Sequence, residues 1–210
     1  RESESAEMIH LEKGKFAIVL SLDQANSQLY VYSRLYGALN RIRTEIPKYL
    51  NITACFGVSG VCRDVLDLPR AYREAEAMLG EKFYRGKNRI FMKEQIGEKR
   101  EQGFLVLDIR EEKAILSALR NGEFENAERR IEGIFAQISN RRPSHKSIQM
   151  ICAELINIAN KVSKDAGIEI AELYESRESP YEIIQKHETL EDLKAWVLGR
   201  YKKLTDLMQD

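Results

Sequence analysis

The sequence predicts an α+β fold: a small antiparallel sheet with helices in the first half, followed by an all-helical domain. Three observations predict it. Short apolar or alternating runs at residues 16–22, 52–58 and 89–92 have strand character, and the segments between them repeat apolar residues every three or four positions. Beyond Asp108 the strand signals stop and only helical periodicity remains.

The elements follow in order. A strand at residues 8–11, the turn Glu12-Lys-Gly14 and the apolar run 16–22 read as a hairpin, with the second strand apolar enough to be buried on both faces. Asn26 is a suitable N-cap for a helix whose face is Leu29, Tyr32, Leu35, Leu39, Ile42, Ile46 and Tyr49, with Pro47 in its final turn or at a kink. Residues 52–58 alternate as a half-buried strand does, and Gly60 ends them. Asp67-Leu-Pro69 reads as a cap with proline in the first turn, opening a helix with Leu68, Tyr72, Ala75, Leu79 and Phe83 on one face and Gly86 as its stop. A last short strand at 89–92 precedes the polar stretch 97–103, a linker or domain boundary. The expected domains are therefore 1–96 and 104–210.

In the second half, Ile115, Leu116 and Leu119 end at Asn121-Gly122, and the next apolar face, Phe124 to Ile138, ends before Pro143, which makes a helical hairpin. Ser144 caps a third helix, closed by Gly167. Short helices are expected near residues 170–174 and after Ser179-Pro180. Thr189-Leu-Glu-Asp192 has the form of a capping box. The helix behind it spaces Leu190, Val197 and Leu204 seven apart, with Leu193 and Leu207 beside them. That stripe suits pairing with a second copy, and it suits packing within one chain at least as well.

Composition narrows the partners. Thirty-three Lys+Arg balance thirty-three Asp+Glu, so no net field holds a polyanion, and DNA or an acidic membrane surface is not an expected ligand of this segment. Cys55, Cys62 and Cys152 are an odd number without metal-ligand spacing, as in a reducing compartment where thiols simply pack. No apolar run approaches the roughly 20 residues that span a bilayer. The expected location is cytoplasmic.

Residues 8–92 resemble a known family. Phe16-Ala-Ile-Val-Leu20, Ile52-Thr-Ala-Cys-Phe-Gly57, Ala75-Glu with Met78-Leu-Gly80, and Gly86-Lys-Asn88 follow the order and spacing of a GGDEF-type domain. Asp67-Leu-Pro-Arg-Ala-Tyr-Arg-Glu-Ala75 and Phe83-Tyr-Arg-Gly-Lys-Asn88 look like the degenerate form in the middle of YesN-like response regulators of the AraC type. Ala118-Leu-Arg-Asn-Gly122 and Thr189-Leu-Glu-Asp-Leu193 are similar to their helical linker. The resemblance implies a ferredoxin-like domain whose first strand and helix precede Arg1.

Where an active diguanylate cyclase reads Gly-Gly-Asp/Glu-Glu-Phe, this chain reads Glu12-Lys13-Gly14-Lys15-Phe16. Cyclase chemistry needs carboxylates to hold Mg²⁺ against a triphosphate, and Gly14 and Lys15 stand at those positions. A phosphate-facing lysine of the family falls at Phe83. The resemblance therefore implies a fold kept without its catalysis: no enzyme activity, no catalytic, cofactor or metal residues and no cofactor.

The remaining polar groups have plain readings. Glu12 and Asp23 are lone surface acids, and His10, His145 and His187 are scattered without catalytic spacing. Lys82, Arg85, Lys87 and Arg89 read as a solvated helix end. Trp196 is one aromatic at helical spacing, more often core than interface.

The family context implies a homodimeric, non-catalytic transmission segment of a bacterial two-component transcription factor. An upstream receiver is phosphorylated by a cognate histidine kinase, and DNA is bound only by a downstream pair of helix-turn-helix motifs. Leu190, Leu193, Val197, Leu204 and Leu207 are the expected coupling or interface residues, so charge at Val197 or Leu204 is expected to uncouple DNA binding while leaving the segment folded. Two alternatives are a nucleotide-sensing α/β domain and the cytoplasmic segment of a membrane-anchored AraC-type relative.

Overall fold

The computed structural model describes residues 5–12, 14–22, 27–93, 104–174 and 179–209. The chain forms two compact units, one of Arg1–Lys82 with Lys87–Gly97 and one of Phe83–Gly86 with Glu98–Asp210. Residues 83–86 thus go with the helical unit.

The first unit begins with β1 (Ser5–Glu12) and β2 (Lys15–Ser21), an antiparallel hairpin with Met8 opposite Ile18 and His10 opposite Phe16. Gly14 lies at the turn with φ +76°, a conformation that costs a glycine nothing. The register shifts between His10 and Glu12, which marks a bulge. β2 is not buried on both faces as its apolar run suggests. Phe16, Ile18 and Leu20 are exposed and alternate with half-buried Ala17 and Val19, because the two strands pack chiefly on each other.

Helix α1 (Gln28–Leu50) is capped by Ser27, whose hydroxyl accepts from the Tyr30 N–H; Asn26 lies outside the described residues. Pro47 sits in its last turn, and Asn51 ends it in the left-handed region. Only Leu39 on its apolar face is fully buried.

β3 is Phe56–Val58, shorter than the alternation over 52–58 suggests, since the strand β4 (Ile90–Met92) offers it only three residues. The pair is parallel, which departs from an all-antiparallel sheet: the chain returns through a helical crossover, so both strands run the same way. That crossover is α2 (Leu68–Leu79). Asp67 does not cap it with its side chain. Asp64 instead accepts the Leu66 N–H and opens a 3₁₀ turn, Val65–Asp67, that runs straight into α2. Met78 and Phe91 form a small core with Cys55 against it. α2 ends at Leu79, so Phe83 is not on its face but on a separate turn, α3 (Lys82–Arg85), packed on the helical core.

The second unit contains α4 (Ile109–Arg120), α5 (Phe124–Arg141), α6 (His145–Asp165), α7 (Ile170–Tyr174), α8 (Pro180–Lys186) and α9 (Leu190–Leu207). Its boundaries are set by local chemistry. Asp108 caps α4, and Gly122 turns the chain into α5 at φ +71°. Ser144 accepts the Ser147 N–H, Ser179 and Glu182 form a capping box, and Thr189 accepts the Asp192 N–H. The core is aliphatic: Ile115, Leu119, Ile131, Ile138, Ile151 and Leu155 are all fully or almost fully buried.

Candidate functional site: the signature hairpin and helix α2

The hairpin turn places the signature residues at one end of the first unit. Glu12 closes β1, Gly14 makes the turn, and Lys15 and Phe16 open β2; Lys13 lies outside the described residues. Lys15 reaches α2, where its Nζ donates to Glu76 Oε1 at 2.7 Å, with Glu12 Oε1 3.6 Å away. The Tyr72 hydroxyl donates to the same Glu76 oxygen at 3.4 Å. The hydrogen bond to Glu76 is the main influence that raises the Lys15 pKa, and the same bond is the main influence that holds the Glu76 carboxyl below its usual range. At the turn, then, an ammonium and a carboxylate satisfy each other. Phe16 is exposed and meets the His10 ring at 5.1 Å between centroids.

A second carboxylate on α2 ties the strand ends to the helix. Glu74 Oε2 accepts the Gly60 N–H at 3.2 Å, and Oε1 accepts from Lys93 Nζ at 2.9 Å with Arg70 at 3.5 Å. Its pKa is lowered, first by the Lys93 bond. Gly57 explains how close α2 lies to β3: a Cβ there would meet the Ala75 carbonyl oxygen at 2.1 Å and the Leu79 nitrogen at 2.8 Å. The Arg43 guanidinium, braced by Asn40, donates to the Asn88 carbonyl at 2.8 Å and fixes the left-handed Asn88 before β4.

Neither Glu74 nor Glu76 stood out in the sequence. The usable signal was two acids in the middle of α2, but their partners Lys15 and Lys93 are 61 and 19 positions away.

The first unit's hairpin, long helix, β3 and α2 carry a matching sequence. Residues 5–80 match the family described as GGDEF-like domain. The chain carries a GGDEF-like domain. The match spans β1, β2, α1, β3 and α2 and includes the Lys15–Glu76 pair. Comparison with curated proteins and with solved structures finds no match.

Outside the GGDEF-like domain, the stripe on α9 lies in the core of the helical unit. Leu190, Leu193, Val197 and Leu204 are buried and Leu207 is half-buried, so the first four are taken up within one chain and are not available to pair with a second copy. Trp196 flanks them, stacked on Tyr174 at 6.1 Å and beside His187 at 5.8 Å. His145 meets the edge of Phe83 at 5.9 Å. The cysteines are free; Cys55 and Cys62 are half-buried, and burial pushes the Cys152 thiol up to about 12. Among the described residues, no three His, Cys, Asp or Glu side chains are grouped to hold a metal ion, and no helix is long and apolar enough to cross a membrane.

Proposed function

We propose that this chain is a non-catalytic regulatory and transmission segment of a bacterial two-component response regulator of the AraC type, working in the cytoplasm as part of a homodimer. Phosphorylation of a receiver domain by its histidine kinase shifts an equilibrium that the helical unit passes to a helix-turn-helix DNA-binding domain. The observation that carries the non-catalytic reading is Lys15. At a position where a cyclase needs a carboxylate for Mg²⁺, an ammonium is already committed to Glu76. The GGDEF-like match supports the regulatory setting, and the resemblance of both halves to YesN-like regulators supports the rest.

Transmission through α9 acts by repacking the helical core, since its stripe is internal. The half-buried Leu207, in the last turn of α9, is the stripe residue whose substitution disturbs folding least. In the full-length regulator, Leu207→Asp is expected to abolish the phosphorylation-dependent gain in DNA binding while circular dichroism stays unchanged. DNA binding that still responds fully to phosphorylation in that variant would sink the coupling role. Incubation of the protein with GTP and Mg²⁺ tests the other half: a cyclic product would overturn the non-catalytic reading.

A further inference from the structure

The helical unit has a cleft that its own packing does not require. A space of about 390 Å³ opens between α4 and α5, lined by Glu111, Asn126, Arg129, Arg130, Gly133 and Gln137 over Ile134. Two guanidinium groups line it against one carboxylate, and that carboxylate, Glu111, is already bound to Arg130 at 3.1 Å. Arg129 Nε donates to the Glu125 carbonyl at 3.3 Å. Arg130 Nε is buried without a hydrogen-bond partner among the described residues. Asn126 Nδ2 already donates to Glu123 Oε2 at 3.0 Å, so the guanidinium groups are the cleft's chief donors.

Gly133 lines the cleft. It lies in the interior of the 18-residue helix α5, where glycine weakens a helix relative to alanine. No steric demand explains it, because a Cβ built there meets nothing within 4 Å. A helix-favouring side chain such as leucine would stabilise the helix and project into the open space. A residue unfavourable to the fold, sitting beside two cations at an open space, is what a binding site needs and a packing site does not.

We propose that this cleft binds a small anionic ligand, a carboxylate or phosphoryl group held by Arg129 and Arg130 with Asn126 and Gln137 beside it. Guanidinium forks suit both kinds of oxyanion, so the shared chemistry is the anionic oxygen pair. Such a site gives the helical unit its own effector input, separate from receiver phosphorylation and from the GGDEF-like domain.

The test titrates the whole chain, in parallel, with succinate and with inorganic phosphate at low salt, following the Gly133 amide and the Arg129 and Arg130 Nε–H signals by NMR. Saturable shifts with a Kd on the order of 1 mM or tighter are expected for at least one probe. A response to succinate alone assigns a carboxylate ligand and a response to phosphate alone a phosphoryl group. Gly133→Leu, which keeps or raises the melting temperature, and Arg129→Gln should each weaken binding by at least about tenfold. Absence of saturable shifts with both probes overturns the proposal. So does binding that survives Gly133→Leu, since it would reflect surface charge and not the cleft.

Discussion

The Tyr201 hydroxyl on α9 donates to the Leu155 carbonyl on α6 at 2.7 Å, with both residues almost wholly shielded from water. This polar stitch joins two helices of the aliphatic core, and a low-dielectric setting strengthens it. Tyr201→Phe removes the bond but keeps the ring. It should destabilise the helical unit by about 1 kcal/mol, read from urea denaturation followed by circular dichroism.

Alkaline pH should loosen the same region. Burial suppresses ionisation of Tyr201, Tyr174 and Cys152, raising each above its ordinary value of 10.0, 10.0 or 9.0. All three are neutral when protonated, so the unfolded chain loses its protons first as pH rises. Their contribution to stability is complete below pH 9 and is lost progressively as pH climbs from there through about 12, the Cys152 value. Thermal melts from neutral pH upward should show the melting temperature falling across that window, and Tyr201→Phe should flatten the fall.

Gly57→Ala is predicted to be among the most damaging single changes in the GGDEF-like domain. The added methyl would sit 2.1 Å from a backbone oxygen of α2, and backbone cannot swing aside as a flexible side chain can. We expect a loss of roughly 3 kcal/mol, at the upper end for overpacking. Amide exchange should quicken in β3 and α2 while α4 to α6 keep their protection.

Reversing Lys15 tests the hairpin contact. Lys15→Glu sets a carboxylate against Glu76 and should loosen the hairpin, seen as faster amide exchange at Val19, and Glu76→Lys in the same chain should restore protection. The pair also has a pH signature. Because the folded Glu76 carboxyl is held below its ordinary 4.5, its stabilisation is present above that value and is lost as pH falls. If the charge-swapped double variant exchanges no more slowly than Lys15→Glu alone, the pair does not hold the turn.

Charge on the α9 stripe should break the fold before it breaks any signal. Val197 and Leu204 are 2% and 0% exposed, so an aspartate at either site would be a buried, unpaired charge. The milder Leu204→Ala should cost about 3 kcal/mol through the cavity it leaves. Both effects are measurable as a shift in the denaturation midpoint of the helical unit. Uncoupling without unfolding therefore cannot be read from Val197→Asp or Leu204→Asp.

These residues show which parts of the structure the sequence could express. Ser144, Ser179, Thr189, Gly122 and Gly167 announce helix ends because a cap or a left-handed residue acts within three or four positions. The strands were less legible, since ladder length depends on the partner: β3 is cut to three residues by β4, not by its own alternation. Apolar periodicity also overstates burial where nothing covers it, as Leu29 and Tyr49 on α1 show at 82% and 80% exposed. Asp67 lost the capping role to Asp64 because a 3₁₀ turn moved the start of the helical path upstream. At the signature, the missing carboxylates at Gly14 and Lys15 were plain, but the use made of Lys15 depended on a glutamate that only folding brings near.

The β1–β2 hairpin bears on solubility. Met8, Ile9, Leu11, Phe16 and Ile18 are all more than two-fifths exposed on strands whose outer edges meet no further strand among the described residues, the surface that seeds edge-to-edge association. Charge repulsion offers little protection, since the formal net charge is +0 at pH 7 and the isoelectric point is about 7.0. The isolated segment will be least soluble in ordinary neutral buffer and will keep better a unit or two away from it, where like charge holds the hairpins apart.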